Sequence, residues 1–265
     1  AIKIMKLHDQ KIIGIDMEED GMNSDKLEQA LSQYPINMAF LIPSYHNPTG
    51  IVMSPEKRVE ILSILARHKV PIIEDGFNEE LKYSGSHLSP LAALCGHGNN
   101  VIYIGSLSKV LFPGLRIGWI VCDDHLISKL ESIKRSQNIH TSFLDQAILY
   151  EYLATGNLEK YLKKARKTYG EKYDFVLKCA KRYIPCKRVL GEGGLHIFIE
   201  LEDNINARDV LNVCYKRNVI FMPGDIFFTD EKGFNTFRLG FARSSLEEIQ
   251  KGFKIIGNVI KEMEE

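Results

Sequence analysis

Two hydroxyls, an amine and a guanidinium fall within eleven residues of each other in Gly105-Ser106-Leu107-Ser108-Lys109 and the following Pro113-Gly114-Leu115-Arg116-Ile117-Gly118-Trp119. Hydroxyls and a guanidinium can make charge-assisted hydrogen bonds to a phosphate, and a turn punctuated by Pro113 and Gly114 would fold them around a nucleophilic lysine. A surface lysine near an arginine is the bland alternative, but it does not explain why the lysine directly follows a buried apolar run. Two further motifs belong beside this one. In Ile72-Ile73-Glu74-Asp75-Gly76-Phe77 a short apolar run delivers a carboxylate, although an aspartate at a strand end is by itself more often a helix cap or a solvated group. Pro43-Ser44-Tyr45-His46-Asn47-Pro48-Thr49-Gly50 is a turn signal, and alone it reads as a loop without chemistry.

All three motifs need strands that end where they begin. Apolar runs alternate with amphipathic segments through the first half, the pattern of a sheet with helices on its faces. Candidate strands are Lys11–Asp16, Met38–Pro43, Pro71–Glu74, Val101–Gly105 and Gly118–Cys122. Between the second and third lies a helix that Ser54 caps and Pro55 begins, with Val59, Ile61, Leu62 and Leu65 as its buried stripe. The motifs would therefore sit at the strand ends of an open α/β sheet, where such sheets place their ligands. The second half is helical at Asp124–Gln137, at Phe143–Ala154 and from Leu158 to about Arg182, where Pro185 stops it. An α+β tail follows, with strands at Leu195–Leu201, Val219–Phe221 and Thr236–Gly240 and a helix from Ala207 to Arg217. A last helix opens with a capping box of Ser245 and Glu248.

Composition narrows the function classes. The chain has 265 residues, 45% of them hydrophobic, enough to bury a substantial core. Lysine plus arginine and aspartate plus glutamate both total 34, so no broad basic field exists to hold nucleic acid. The five cysteines are scattered without a CxxC spacing, which suggests neither a disulfide framework nor a metal site and fits a reducing cytoplasm. No apolar run approaches the roughly 20 residues that span a bilayer.

The pattern S-x-S-K-x-x-x-P-G-x-R-x-G, preceded by N-P-T-G and by a strand ending in aspartate, resembles the signature of class I/II aminotransferases, the fold-type I pyridoxal-phosphate enzymes. The likeness runs on to Phe237-Arg238-Leu239-Gly240-Phe241. It implies an α/β fold with a mostly parallel sheet in a large domain (1–155, incomplete at its start) and a smaller α+β domain (156–265, with the linking helix). The cofactor it implies is pyridoxal 5′-phosphate. Lys109 then corresponds to the lysine that forms the Schiff base and shuttles the proton, and Asp75 to the partner of the pyridinium nitrogen. Asn47 corresponds to the donor to the ring's 3-oxygen and also borders the substrate, and Ser106, Ser108 and Arg116 to phosphate ligands. Arg238 takes the place of the arginine that grips the substrate α-carboxylate. The implied reaction moves an amino group between an amino acid and a 2-oxo acid, in a homodimer without nucleic acid or membrane. His46 and Tyr45 read as packing or rim residues.

Two departures qualify the likeness. The family usually has a tyrosine two or three residues after the pyridinium aspartate, whereas Phe77, still counted with the cofactor site, and Asn78 stand here. The likeness also starts near the middle of the family's large domain. The upstream phosphate loop and ring-stacking aromatic would precede Ala1, and a partial site that binds the cofactor weakly is expected. A second class fits the same residues. MocR-type transcription regulators carry an aminotransferase-like domain that senses the cofactor or an amino acid, and Ile102–Ser106, Leu111–Pro113 and the run from Glu79 to Tyr83 suit them as well as they suit aminoadipate- or kynurenine-type aminotransferases. A fold-type I lyase or decarboxylase would keep the same cofactor residues.

Overall fold

The apolar runs do form strands, and a computed structural model shows which of them pair; it describes residues 1–77, 79–85, 87–95 and 100–264. Helix α1 (Ile2–Leu7) leads to a small hairpin, β1 (Met17–Glu18) and β2 (Gly21–Met22), and then to α2 (Ser24–Gln33). Next come β3 (Ala39–Leu41), α3 (Pro55–Arg67), β4 (Ile72–Asp75), α4 (Leu91–Cys95), β5 (Val101–Ser106) and β6 (Gly118–Val121). Helices α5 (Asp124–Asn138), α6 (Phe143–Ala154) and α7 (Asn157–Tyr183) follow. The chain ends through β7 (Arg188–Leu190), β8 (His196–Glu200), α8 (Ala207–Lys216), β9 (Met222–Pro223), β10 (Thr236–Gly240) and α9 (Leu246–Glu264). Contacts group Asp16–Ser44 with Val52–Arg166 as one unit, and Ala1–Ile15, Tyr45–Ile51 and Lys167–Glu265 as another.

The first of these units is built on a sheet of order β3-β4-β5-β6, parallel in its first three strands and antiparallel at β6. Parallel neighbours need a crossover, and α3 supplies the one from β3 to β4. Its start is as the sequence indicates: Pro55 opens the helix and the Ser54 hydroxyl accepts from the Lys57 amide at 3.1 Å. Its buried stripe is so only in part: Ile61 and Leu65 are buried and Leu62 is partly buried, as expected. Val59 is 60% exposed, and the inward face is Arg58, Ile61, Ile64 and Leu65. At 100° per residue, position 59 points away from a face set by 58, 61 and 65, and the sequence hides this because the residue in the apolar row is an arginine.

Arg58, 1% exposed, spends its guanidinium on backbone. Nε donates to the Met53 carbonyl (3.0 Å), Nη1 to that of Ser89 (2.9 Å), and Nη2 to the Pro43 carbonyl (3.1 Å) and the Ser44 hydroxyl (2.8 Å). Both stems of the loop that leaves β3 are thereby tied to one cation. Fully buried Glu74 accepts from the Leu91 and Ala92 amides at 2.7 and 2.9 Å, which fixes the start of α4.

The other unit packs a sheet of order β7-β8-β10-β9, antiparallel throughout, against α8, α9 and the end of α7. Val176, Ile197, Phe237, Phe253 and Ile256 are among the residues at its centre. Strand β10 has the bounds expected of it, and the capping box of α9 is reciprocal: the Ser245 amide donates to Glu248 Oε2 (2.7 Å) and the Glu248 amide to Ser245 Oγ (3.2 Å). Two strand expectations are corrected. Residues 11–16 join no ladder, and pairing starts at Met17 opposite Met22. The strand expected at Val219–Phe221 lies instead at Met222–Pro223, because the Val219 amide donates to the Cys214 carbonyl and closes the end of α8. No helix among the described residues is long and apolar enough to cross a membrane.

Replacing Arg58 with Met should remove the donors to the Met53 and Ser89 carbonyls and to the Ser44 hydroxyl, while the Pro43 carbonyl keeps the Met53 amide. The unfolding free energy is expected to fall by about 3 kcal/mol or more in urea titration, with Arg58→Lys recovering only part because an ammonium cannot span the same acceptors.

Candidate functional site

Strands β4 and β5 are parallel neighbours with Asp75 opposite Ile104, so Asp75 and Ser106 emerge at the same end of the sheet. The Gly76 amide extends the ladder by donating to the Ile104 carbonyl at 2.9 Å. Burial raises the Asp75 carboxyl above the ordinary aspartate range, and the Phe77 N–H that it accepts opposes that shift. Phe77 is half-buried; Asn78 lies outside the described residues.

The segment after β5 turns at once. Ser106 Oγ accepts from the Ser108 amide at 3.2 Å and lies 3.1 Å from Ser108 Oγ, which pairs two half-buried hydroxyls at the strand end. Lys109 follows as an exposed side chain between buried Leu107 and Val110. A 3-10 turn at Pro113–Leu115 then delivers Arg116 in the left-handed region (φ 53°). Ser106 pairs with Gly118 across the antiparallel edge, so Arg116, two residues earlier, is at the hydroxyl end of the sheet. Its Nη1 reaches the Pro113 carbonyl at 3.4 Å and its side chain is exposed. Five sequence-selected positions (Asp75, Ser106, Ser108, Lys109 and Arg116) thus share one edge of one unit, with Phe77 on the turn beside them. A phosphate would find hydroxyl and guanidinium donors there, which is the donor set that such a group requires.

Asn47 and Arg238 meet in the other unit. Arg238 Nη1 donates to Asn47 Oδ1 at 2.6 Å across 191 residues of sequence. Arg238 stands on β10, its guanidinium carbon 5.2 Å from the centre of the Phe227 ring. Burial lowers its pKa, and no carboxylate among the described residues offsets that charge. A half-buried arginine bonded to a neutral amide is suited to receive a carboxylate from outside the protein.

The loop holding Asn47 is closed by its own backbone. The His46 amide donates to the Ile51 carbonyl (2.9 Å) and the Gly50 amide to the His46 carbonyl (2.5 Å), while His46 Nδ1 is 2.8 Å from Thr49 Oγ1. Gly50 has φ +71°, and a Cβ on it would lie 2.7 Å from the Gly191 Cα, so this position requires glycine twice over. The Tyr173 hydroxyl donates to the Gly191 carbonyl at 2.6 Å, and His196 Nε2 to the His46 carbonyl at 3.4 Å. Gly191, His196 and Tyr173 do not stand out in the sequence. The run Gly191-Glu192-Gly193-Gly194 is the signal that marks a close backbone approach there.

Comparison with known proteins bears on these features. The family model described as aminotransferase class I and II matches residues 2–256. The aromatic-amino-acid aminotransferase 1 of Thermococcus litoralis is 32% identical over 269 residues, covering 99% of this chain and 64% of that protein. A Bacillus subtilis HTH-type transcriptional regulator, YdfD, is 30% identical over 99% of this chain and 54% of its own length. Among solved structures, the Pyrococcus horikoshii kynurenine aminotransferase in complex with PMP superposes with a TM-score of 0.95 at 30% identity, covering 100% of this chain and 67% of that one. The chain therefore spans about half to two thirds of the length of these relatives.

Burial, and then the neighbouring His196, push His46 from 6.5 down to about 4. Neutral His46 therefore contributes its full stability above about pH 6.5, and the contribution is lost as pH falls toward 4, where the unfolded chain takes up a proton that the folded one refuses. Relative to His46→Asn, which keeps a polar partner for Thr49 but does not titrate, the wild type should lose about 2–3 kcal/mol across that window. Chemical denaturation at a series of pH values measures the difference, and a flat one would contradict the assignment.

Proposed function

Because the chain belongs to the class I and II aminotransferase family, we propose that it forms the greater part of an enzyme that transfers an amino group from an amino acid to a 2-oxo acid, with Lys109 as the amine that carries pyridoxal phosphate. The observation that carries this reading is that Asp75 and Ser106 end adjoining parallel strands, with Lys109 in the turn that directly follows Ser106. When bound, the cofactor supplies an electron sink for the charge that develops at the substrate Cα.

The chain's own residues do the rest. Lys109 Nζ takes the proton from the substrate Cα and returns it to the opposite end of the reacting system. Asp75 holds a proton at the ring nitrogen through a carboxylate in a partly desolvated setting, where its electrostatic effect is larger than in water. Ser106, Ser108 and Arg116 grip the phosphate, which keeps the cofactor in place whenever its bond to Lys109 is open. Asn47 orients the ring through its 3-oxygen, and Arg238 takes the substrate α-carboxylate in a bidentate pair. Phe77 borders the ring without offering a hydroxyl. In this reading the parallel-sheet unit is the cofactor-binding large domain and the α+β unit the small one. The molecule is a homodimer in the cytoplasm, and exposed Phe112, Trp119, Phe143 and Leu144 are apolar surface that a second copy would cover.

One observation favours a second reading: the HTH-type regulator matches over 99% of this chain. In that case the same residues would bind cofactor or amino acid as an effector site, and DNA binding would belong to polypeptide outside these 265 residues.

The test uses the full-length protein. Borohydride should fix pyridoxal phosphate to wild type and not to Lys109→Ala. Arg238→Ala should lower kcat/KM for the amino donor by on the order of 100-fold or more while leaving cofactor binding intact. Labelling of Lys109→Ala equal to that of wild type would overturn the assignment. Donor consumption that does not depend on a 2-oxo acid would point to a lyase or decarboxylase, and cofactor binding without turnover to the regulator.

A further inference from the structure

Asp75 ends a strand, and what fixes its carboxyl beyond the ladder is the turn Gly76–Phe77. That turn rests on an aromatic ring. A Cβ on Gly76 would come within 2.3 Å of the Tyr103 hydroxyl oxygen and 2.6 Å of two carbons of its ring, so the Gly76 backbone lies directly against the phenol. Tyr103 pairs with Glu74 in the β4–β5 ladder, and side-chain alternation puts its ring on the sheet face opposite the Asp75 side chain. The ring is in turn held at its far end. Its hydroxyl donates to Glu79 Oε2 at 3.0 Å, the other Glu79 oxygen accepts from Ser44 Oγ at 3.5 Å, and Ser44 Oγ accepts from Arg58 at 2.8 Å. The chain of contacts therefore runs from a fully buried cation to the turn that carries Asp75.

We propose that Tyr103, held by Glu79, is a positioning residue for Asp75: the phenol is the floor under the Asp75–Phe77 turn, and its hydrogen bond to Glu79 sets the height of that floor. The role rests on reading Asp75 as the partner of the cofactor's ring nitrogen. Burial and the Glu79 carboxylate hold the Tyr103 phenol well above its ordinary range, so it remains a hydrogen-bond donor at every pH of interest. The glycine fits the same account, since any side chain at position 76 would have to displace the ring. Phe77, with no hydroxyl, leaves the turn dependent on support from below.

The experiment measures, in the full-length protein, the dissociation constant of pyridoxal phosphate and the pH midpoint of the bound cofactor's visible absorbance, together with the thermal midpoint of the apo form. Tyr103→Phe keeps the ring and removes the hydrogen bond, and Glu79→Leu removes the acceptor. Each should weaken cofactor binding by roughly 3- to 10-fold, the worth of one net hydrogen bond, and displace the absorbance midpoint in the same direction. Their double variant should be no weaker than either single one, because both remove one interaction. Glu79→Gln, which still accepts from the phenol, should stay within about twofold of wild type. If Tyr103→Phe and Glu79→Leu match wild type in affinity and absorbance while Asp75→Asn alters both, the positioning role is wrong and the reading of Asp75 stands. The positioning role is equally wrong if the two variants lower only the thermal midpoint. If Asp75→Asn itself leaves affinity and absorbance unchanged, the reading of Asp75 fails and the positioning role goes with it.

Discussion

A buried guanidinium with four acceptors is the constraint on which the sheet unit depends. Removing Arg58 from water is costly unless its N–H groups find partners, and here they find the carbonyls of Pro43, Met53 and Ser89 and the hydroxyl of Ser44. Glu74 and Glu79 lie close enough for its charge to hold their carboxyls lower than burial alone would leave them. Because Pro43 and Met53 bracket the Asn47 loop, one side chain fixes where that loop departs and where it returns. The stems themselves meet through the Met53 amide and the Pro43 carbonyl at 2.7 Å. The residues between them can then be irregular without the sheet losing its register.

Polar groups in this unit are arranged by rank. Arg58 and Glu74 are sealed inside and satisfied by backbone, which makes them structural. Glu79 and Tyr103 are partly buried and satisfy each other. Asp75, Ser106 and Ser108 are half-buried at the strand ends, and Lys109 and Arg116 reach solvent. Exposure to solvent rises along this series.

Much of this is legible in the sequence, and the exceptions share a cause. Local signals are reliable: Ser54 with Pro55, Ser245 with Glu248 and the apolar run at Thr236–Gly240 form the elements they indicate, because caps and short strands are decided by neighbouring residues. Helix α2 escapes the apolar pattern although Asn23 caps it and Asp25 lies in its first turn. The placement of Val59 fails because a buried arginine breaks the equation of apolar with inside. The strand expected at Val219–Phe221 fails because the end of α8 claims the Val219 amide first. At the candidate site the residues of the lysine segment are visible as a cluster, being close in sequence. The bond between Asn47 and Arg238 is not visible as a contact, since nothing local announces a partner 191 residues away. Tyr103 and Glu79 stay hidden for a different reason: an aromatic in a buried strand reads as packing, and only the glycine above the ring shows what it packs against.

The grouping of Tyr45–Ile51 with the later half of the chain has a consequence for how such a molecule can be assembled or altered. The backbone passes between the two units at 15/16, 44/45, 51/52 and 166/167, so neither unit is a continuous stretch of polypeptide. No single cut releases one of them intact, and no single genetic crossover exchanges one for a homologous counterpart. A chimaera that swaps the α+β unit must bring its own seven-residue loop with it, because a side chain at position 50 would meet the Gly191 backbone. Position 50 therefore takes no side chain while the Gly191 backbone stays where it is, although the two lie far apart in the sequence.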